Sequence, residues 1–337
     1  MEDIKFMRRC IALAKKGLGY TYPNPLVGCV IVYRGKIISE GWHKKAGAFH
    51  AEKEAIEKIQ DKSILKASTL YVNLEPCNHF GKTPPCSDLI VKMKIPKVVI
   101  GSVDFNQKVY GQGIKKLKAA GCEVVTGILE EECIYLNRRF FTFHQKKRPY
   151  IILKWAESKD GFIAPKNPNE NYWLTNKLSR QLVHQWRSEE QAIMIGVKTA
   201  INDDPKLNTR LWFGNDPVPI VIDPNNRLPL NSYLRTNKKN NQLIQINLKK
   251  SKNKSQNFRV NGAFILEVLY DYGVQSVIVE GGAETLRFFI VNNFWDEVKI
   301  FKTNQLLVDG ISAPDFSQKE NSIKKIEQDR LFIYHND

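Results

Sequence analysis

His50-Ala51-Glu52, followed by Pro76-Cys77-Asn78-His79-Phe80-Gly81-Lys82-Thr83-Pro84-Pro85-Cys86, is the stretch on which the rest of the sequence turns. One imidazole and two thiols complete the donor set of a catalytic zinc site, which uses three protein ligands and keeps the fourth position for water. The elements around these residues set the fold. A helix over Ala51 to Ile59 follows the histidine, a strand over Thr69 to Leu74 leads into Cys77, and a helix over Ser87 to Lys92 follows Cys86. Outward from there, helical apolar spacing marks Ile4 to Lys16, and short β-branched runs mark strands at Val27 to Val32, Lys36 to Glu40 and Lys97 to Gly101. A helix over Ile114 to Ala119, capped by Gly121, a strand over Glu123 to Thr126 and one long helix over Glu130 to Phe143 complete this half. Strands alternating with helices predict an α/β sheet covered on both faces.

Glu52 lies two residues past His50 at the start of its helix, where its carboxylate reaches a zinc-held water without ligating the ion. Zinc makes hydroxide available near neutral pH by lowering the pKa of bound water. A His-x-Glu and Pro-Cys arrangement with glutamate as proton shuttle is the pattern of zinc deaminases. Cys86 precedes a predicted helix whose amides favour thiolate. The rival reading is a purely structural zinc site, which needs a fourth ligand; His79 is the nearby candidate. Eight residues separate Cys77 from Cys86, where nucleic-acid and free-base deaminases usually carry Cys-x-x-Cys. The insert holds a histidine, a lysine and a hydroxyl, a composition that suits a phosphorylated substrate.

At 337 residues the chain is long enough for two domains. The segment Gln145-Lys146-Lys147-Arg148-Pro149 is basic, polar and broken by proline, which gives a first domain at 1–145, a linker at 146–149 and a second domain at 150–337. The second half again alternates. Strands are expected at Tyr150 to Trp155, Ala192 to Gly196, Pro219 to Asp223, Leu243 to Ile246, Ser276 to Glu280, Glu297 to Phe301 and Leu331 to Tyr334. Helices are expected at Leu178 to Arg187, Phe264 to Tyr272 and Thr285 to Val291. Hydrophobic residues at 42% and charged residues at 26% fit a packed globular chain. No run of 18 apolar residues marks a membrane span, and the start of the chain lacks a basic segment followed by an apolar one, so the expected location is cytoplasmic. A disulfide framework is not expected from six cysteines in such a chain. Cys10, Cys29, Cys122 and Cys133 read as buried, inert thiols. Fifty-one basic against 35 acidic residues give a net charge of +16, which attracts anions: nucleic acid, phosphorylated metabolites or dinucleotides. Much of the excess lies in lysine–asparagine runs at 237–254 that read as solvated loop surface. That segment has no aromatic residue, against the interleaved stacking residues that single-stranded nucleic-acid binding requires.

Tyr22-Pro23-Asn24-Pro25-Leu26-Val27-Gly28-Cys29-Val30, Gly41-Trp42-His43, Ala46-Gly47, His50-Ala51-Glu52 and Glu75-Pro76-Cys77 through Cys86, with Asp104, Asn106, Val109, Gly111, Gly113 and Leu136-Asn137, closely resemble the bifunctional deaminase–reductase family of riboflavin biosynthesis. The resemblance runs nearly the length of the chain and is most specific in the first half. It implies a cytidine-deaminase-like α/β/α domain followed by a dihydrofolate-reductase-like α/β domain. The first would deaminate 2,5-diamino-6-ribosylamino-4(3H)-pyrimidinone 5′-phosphate. The second would then reduce the ribosyl chain to ribityl with NADPH. His50, Cys77 and Cys86 would bind Zn2+, Glu52 would be the acid and base, and Asn24, His43, His79 and Lys82 would contact the substrate. For His43, packing beside Trp42 is an equal alternative.

In the second half no Gly-x-Gly-x-x-Gly follows a strand, so a Rossmann fingerprint is lacking. Val279-Glu280-Gly281-Gly282-Ala283-Glu284-Thr285-Leu286 joins a predicted strand to a predicted helix, where glycines admit a close approach and helix amides hold a phosphate. Family patterns match Leu153-Lys154-Trp155-Ala156-Glu157-Ser158-Lys159-Asp160-Gly161, Trp173-Leu174-Thr175, Gly196, Thr199, Asp203-Asp204-Pro205 and Val221-Ile222-Asp223. By this resemblance Asn171, Arg187, Leu207, Arg210 and Glu280 would bind substrate, the two arginines clamping its phosphate. Glu157, Trp173, Thr175, Thr199, Asp203, Gly281, Gly282 and Ala283 would bind the cofactor. Two departures stand out. Glu157 replaces a small residue, and a carboxylate there repels NADPH phosphates unless it faces away. Asn304-Gln305-Leu306-Leu307-Val308-Asp309-Gly310 replaces the glycine-rich pattern usual after Phe301. The expected partner is the phosphorylated ribosylaminopyrimidine, with no nucleic acid and no membrane, and the family allows a homo-oligomer. The alternatives are a deaminase acting on nucleic acid or another pyrimidine, and a second half that has kept its fold but lost catalysis.

Overall fold

A computed structural model describes residues 2–78, 84–105, 111–166, 172–237, 243–247 and 262–336. The chain divides into two compact units, Met1–Lys147 and Arg148–Asp337. Among the described residues, no helix is long and apolar enough to cross a membrane.

The first unit is built on β1 (Gly28–Tyr33), β2 (Lys36–Trp42), β3 (Thr69–Leu74), β4 (Lys97–Ser102) and β5 (Glu123–Thr126), in the sheet order β2-β1-β3-β4-β5. The pair β1–β2 and the pair β1–β3 are antiparallel, and β3, β4 and β5 run parallel. Alternating side chains feed opposite faces. Cys29 and Ile31 pack with Ala55 and Ile56 of α2 (Ala51–Glu57), Ile90 of α3 (Cys86–Lys92) and Leu117 of α4 (Gln112–Ala119). Val30 and Val32 pack with Met7 and Leu13 of α1 (Glu2–Ala14) and with Cys133 and Leu136 of α5 (Glu130–Leu136). Helices therefore cover both faces in an α/β/α sandwich. The single long helix expected over Glu130 to Phe143 is two: α5 ends at Leu136, and α6 runs over Arg138–Lys146. Between them Asn137 accepts from the amide of Leu26 at 2.8 Å and donates to its carbonyl at 3.0 Å. Cys10, Cys29 and Cys133 are buried as expected; Cys122 is half-buried instead, at the sheet edge just before β5.

The second unit has an eight-stranded sheet. Its strands are β6 (Tyr150–Glu157), β8 (Ala192–Gly196), β9 (Val218–Ile222), β10 (Ile244–Ile246), β11 (Ser276–Val279), β12 (Glu297–Lys302), β14 (Ser322–Ile326) and β15 (Asp329–His335). Their order is β10-β9-β8-β11-β6-β12-β15-β14. From β10 to β12 all neighbours are parallel; β15 and β14 close the far edge antiparallel. One face packs on α10 (Gly262–Asp271) and α11 (Ala283–Val291), the other on α7 (Lys177–Glu189) and α8 (Val197–Asp203). The strands of the parallel core read as continuous apolar runs because both faces are covered. The short β7 (Phe162–Ala164), β13 (Ile311–Ser312) and α9 (Tyr233–Thr236), together with α8 and β14, escaped the sequence reading.

Candidate active sites

Both halves of the zinc constellation sit at the ends of regular elements. His50 is the extended residue that caps the start of α2, and Glu52 falls in the first helical turn. On the other side β3 ends at Leu74 and the chain reaches Cys77 three residues later, while Cys86 opens α3. Nδ1 of His50 lies 3.5 Å from the sulfur of Cys77 and 3.3 Å from that of Cys86. Tetrahedral zinc with Zn–N and Zn–S bonds near 2.0 and 2.3 Å separates such donors by about 3.5 Å, so the three atoms fit the ion. Among the described residues this is the one group of three or more His, Cys, Asp or Glu so arranged.

The amide expected to support a thiolate at Cys86 acts on its partner instead. Cys86 N donates to the Cys77 sulfur at 3.3 Å. The hydrogen bond shared by the two sulfurs draws the Cys77 thiol down to about 4 and pushes that of Cys86 up. Its own hydrogen bond with Cys77 raises His50. Glu52 is 3% exposed. Burial first, and the charge on Cys77 second, push its carboxyl up to about 7. A carboxyl that exchanges its proton near neutral pH suits an acid and base.

His43 touches the site edge-on, its ring centroid 5.6 Å from that of His50. Its Nδ1 is 3.0 Å from the Phe49 carbonyl and its Nε2 is 3.0 Å from Nδ2 of Asn24. A carbonyl only accepts and an amide nitrogen only donates, so the proton sits on Nδ1 and Nε2 accepts from Asn24. Burial lowers the ring's pKa and keeps it neutral. His43 therefore aims Asn24, with both its nitrogens engaged inside the protein. His79 and Lys82 lie outside the described residues.

Three buried polar residues near this centre went unassigned in the sequence. Asn73 accepts from Gly28 N at 2.7 Å and donates to the Leu26 carbonyl at 3.0 Å, and Asn137 holds Leu26 from the other side. Together they fix the segment that follows Asn24. Glu75 gathers backbone amides from Asp104, Gly111, Gly113 and Ile114. An amide and a carboxylate at the end of an apolar run, Asn73 and Glu75, were the available signal.

In the second unit Arg187 and Glu280 meet just past the carboxyl end of β11. Arg187, in the last turns of α7, forms a two-pronged pair with Glu280 just past β11, through Nε and Nη2 at 2.8 Å each. Its Nη1 donates to the Asn208 carbonyl at 3.1 Å. Lys154 Nζ stands 3.6 Å from the same carboxylate. Arg187 and Lys154 hold Glu280 down to about 2 against the upward push of burial. Two residues expected as separate contacts, Arg187 and Glu280, thus join Lys154 in one buried cluster, and the Arg187 fork faces Glu280. Arg210 is exposed and donates to the Asn208 side chain at 3.1 Å. Leu207 is buried with a left-handed backbone, φ 49°. His184, one turn before Arg187, is buried too, and burial with the two arginines lowers it to about 4.

Gly282 has φ +61°, and a β-carbon on it would stand 2.9 Å from the Thr199 hydroxyl. At Gly281 a β-carbon would overlap Ile195. The β11–α11 turn is thus bare backbone against the β8–α8 turn, which brings Thr199 and the amide end of α11 at Ala283 beside each other. Such a cradle fits a dinucleotide phosphate. Asp203 closes α8. Trp173 is half-exposed, with Arg180 over its ring at 4.9 Å; Thr175 is half-buried nearby in sequence. Asn171 lies outside the described residues.

Both departures from the family pattern have a structural answer. Glu157 accepts from the Trp155 indole at 2.9 Å and pairs with Lys302 at 3.0 Å, so its charge is turned to the neighbouring strand and neutralised. The rebuilt segment after Phe301 is docked by Gln305, which donates to the Leu174 carbonyl at 3.0 Å and accepts from the Tyr172 hydroxyl at 2.8 Å. Asp160 adds bonds from the amides of Leu307 and Val308.

Comparison with known proteins matches each half of the chain to a different family model. Residues 1–102 match the model of the cytidine and deoxycytidylate deaminase zinc-binding region, and residues 149–326 that of the RibD C-terminal domain. The chain is similar to riboflavin biosynthesis protein RibD of Aquifex aeolicus, 39% identical over 96% of this chain and 93% of that one. It is 43% identical to the protein of the same name from Actinobacillus pleuropneumoniae, over 84% and 78%. Among solved structures it resembles a diaminohydroxyphosphoribosylaminopyrimidine deaminase/5-amino-6-(5-phosphoribosylamino)uracil reductase from Thermotoga maritima. The TM-score is 0.88 at 35% identity, covering 99% of this chain and 98% of that one.

Proposed function

Because the chain belongs to the riboflavin biosynthesis protein RibD family, we propose that the two clusters described above are its two catalytic centres, acting in succession on one phosphorylated pyrimidine. The protein is a bifunctional enzyme, a zinc-dependent deaminase joined to an NADPH-dependent reductase of riboflavin biosynthesis. The observation that carries the assignment of the first centre is the Nδ1–sulfur geometry of His50, Cys77 and Cys86 with Glu52 buried beside it.

When bound, zinc supplies hydroxide at neutral pH. Glu52 would take one proton from the attacking water and give it to the ring nitrogen, then move the proton of the added hydroxyl to the amine, which would leave as ammonia as the carbonyl forms. A carboxyl poised near neutral pH can make both transfers. Asn24, held by His43, presents its amide to the substrate. His79 and Lys82 complete the contacts to the phosphorylated pyrimidine.

Reduced nicotinamide, when bound in the second unit, supplies a hydride. The protein's part is to hold the reacting carbons together in a dry cleft. Gly281, Gly282, Ala283 and Thr199 hold a cofactor phosphate, and Trp173, Thr175, Asp203 and Glu157 are its further cofactor contacts. Arg210 meets the substrate phosphate. Arg187 fixes Glu280, which accepts from the substrate's polar edge, and Leu207 and Asn171 add further substrate contacts. The enzyme acts in the cytoplasm, can associate with further copies of itself, and does not use nucleic acid; the basic segment 237–254 carries no aromatic residue for base stacking.

Metal content, ammonia release and NADPH oxidation measured on the wild type and Glu52→Ala test the assignment. The variant retains zinc, releases no ammonia, and still oxidises NADPH when given the deaminated intermediate. Ammonia release at the wild-type rate by Glu52→Ala removes the glutamate from its role. Wild-type ammonia release without NADPH oxidation at any substrate level removes the second centre.

A further inference from the structure

Glu75 carries four backbone amides on one carboxylate. Oε2 accepts from Asp104 at 3.2 Å and Gly111 at 3.0 Å, and Oε1 accepts from Gly113 at 2.9 Å and Ile114 at 3.2 Å. The residue is 4% exposed, and none of these partners is a zinc ligand. Strand pairing ends one residue earlier, at Leu74 opposite Ser102. Cys77 therefore stands on a short arm beyond the sheet, and each residue of that arm is held by a different contact. The Glu75 amide donates to the Ser102 carbonyl at 2.9 Å. Pro76 follows, its carbonyl so close to Gly113 that a β-carbon there would overlap it. The Cys77 carbonyl accepts from Ser87 N at 3.1 Å. On one side the arm is held by α3; on the other it is held by the start of α4, and Glu75 is the side chain that ties α4 to it.

We infer that Glu75 is a positioning residue of the zinc centre. By clamping the amides at the start of α4 and at Asp104, it sets where the Cys77 sulfur stands relative to His50 and Cys86. The inference rests on the zinc-deaminase reading of that site. A glutamine cannot replace the carboxylate, because its single acceptor oxygen serves one amide pair while its NH2 group faces the other pair donor to donor. Outer-shell partners of this kind typically change metal affinity or activity ten- to a hundred-fold when removed.

The test uses the full chain and the variants Glu75→Gln and Gly113→Ala. The second keeps the carboxylate's charge but drives a β-carbon into the Pro76 carbonyl and against Glu75 Oε1, 3.3 Å away, so that it strains the clamp from the α4 side. Zinc release to a chromogenic chelator, kcat and KM for ammonia release, and NADPH oxidation of the deaminated intermediate are measured on each. Both variants release zinc roughly ten- to a hundred-fold faster and lose kcat by a similar factor, with KM little changed and NADPH oxidation at the wild-type rate. Zinc release and kcat at wild-type values in Glu75→Gln overturn the inference, even where its thermal stability is lower. Gly113→Ala decides the matter where Glu75→Gln does not fold, with the same readings. A wild type that binds no zinc brings down the reading of the site itself.

Discussion

Glu280 meets Arg187 at 2.8 Å through two bonds and Lys154 at 3.6 Å, all three side chains largely out of water. Removing one partner of such a group leaves charge buried without compensation. Glu280→Ala strands two cations and is expected to lower the unfolding free energy of the second unit by about 3–5 kcal/mol, read from urea denaturation. The same carboxylate gives a pH dependence. Its ordinary value is 4.5 and its folded value about 2. Its contribution is therefore complete above pH 4.5 and lost as pH falls from 4.5 toward 2. Urea midpoints of the wild type should fall across that window, and Glu280→Gln should remove this part of the slope. At this scale the sequence was half legible. His50, Glu52, Cys77 and Cys86 are readable because each is a distinctive residue type at a telling spacing. The link between Arg187 and Glu280 is not, since 93 positions separate them and either alone looks like a ligand contact. Glu157 is the same case: the sequence shows a misplaced charge, and only strand register shows Lys302 opposite it.

Period-two alternation and 3.6-residue spacing made most strands and helices visible in the sequence, because they record which face is buried. They fail where an element is short or where a break is made by a side chain acting at a distance. Leu136 and Phe140 keep the apolar rhythm through Asn137, so the reading runs α5 and α6 together; the break follows from two bonds to Leu26, over a hundred residues away. Asn137→Ala leaves the Leu26 amide without its acceptor in the core, while the Leu26 carbonyl keeps its bond from Asn73. It is expected to cost about 1–3 kcal/mol in denaturant unfolding of the first unit. At the β11–α11 turn the element demands glycine. Gly282→Ala would meet both a positive φ and the Thr199 hydroxyl at 2.9 Å. The expected result is weaker NADPH binding in a fluorescence titration, with ammonia release unchanged.

Across the whole molecule, two units with separate cores and separate chemistry predict separable losses. A zinc chelator should stop ammonia release while the deaminated intermediate still consumes NADPH, and restoring zinc should recover the first activity alone. A single inhibited preparation showing both losses together would argue against two independent centres. Helix α6 ends at Lys146 and β6 begins at Tyr150, which leaves residues 147–149 as the junction. With so little chain between them, every round of translation yields one catalyst of each kind. The standing amount of the compound passed from one to the other is then governed by the ratio of two turnover rates and by escape into bulk solution. Independent expression, the usual means of balancing consecutive enzymes, has no hold on it.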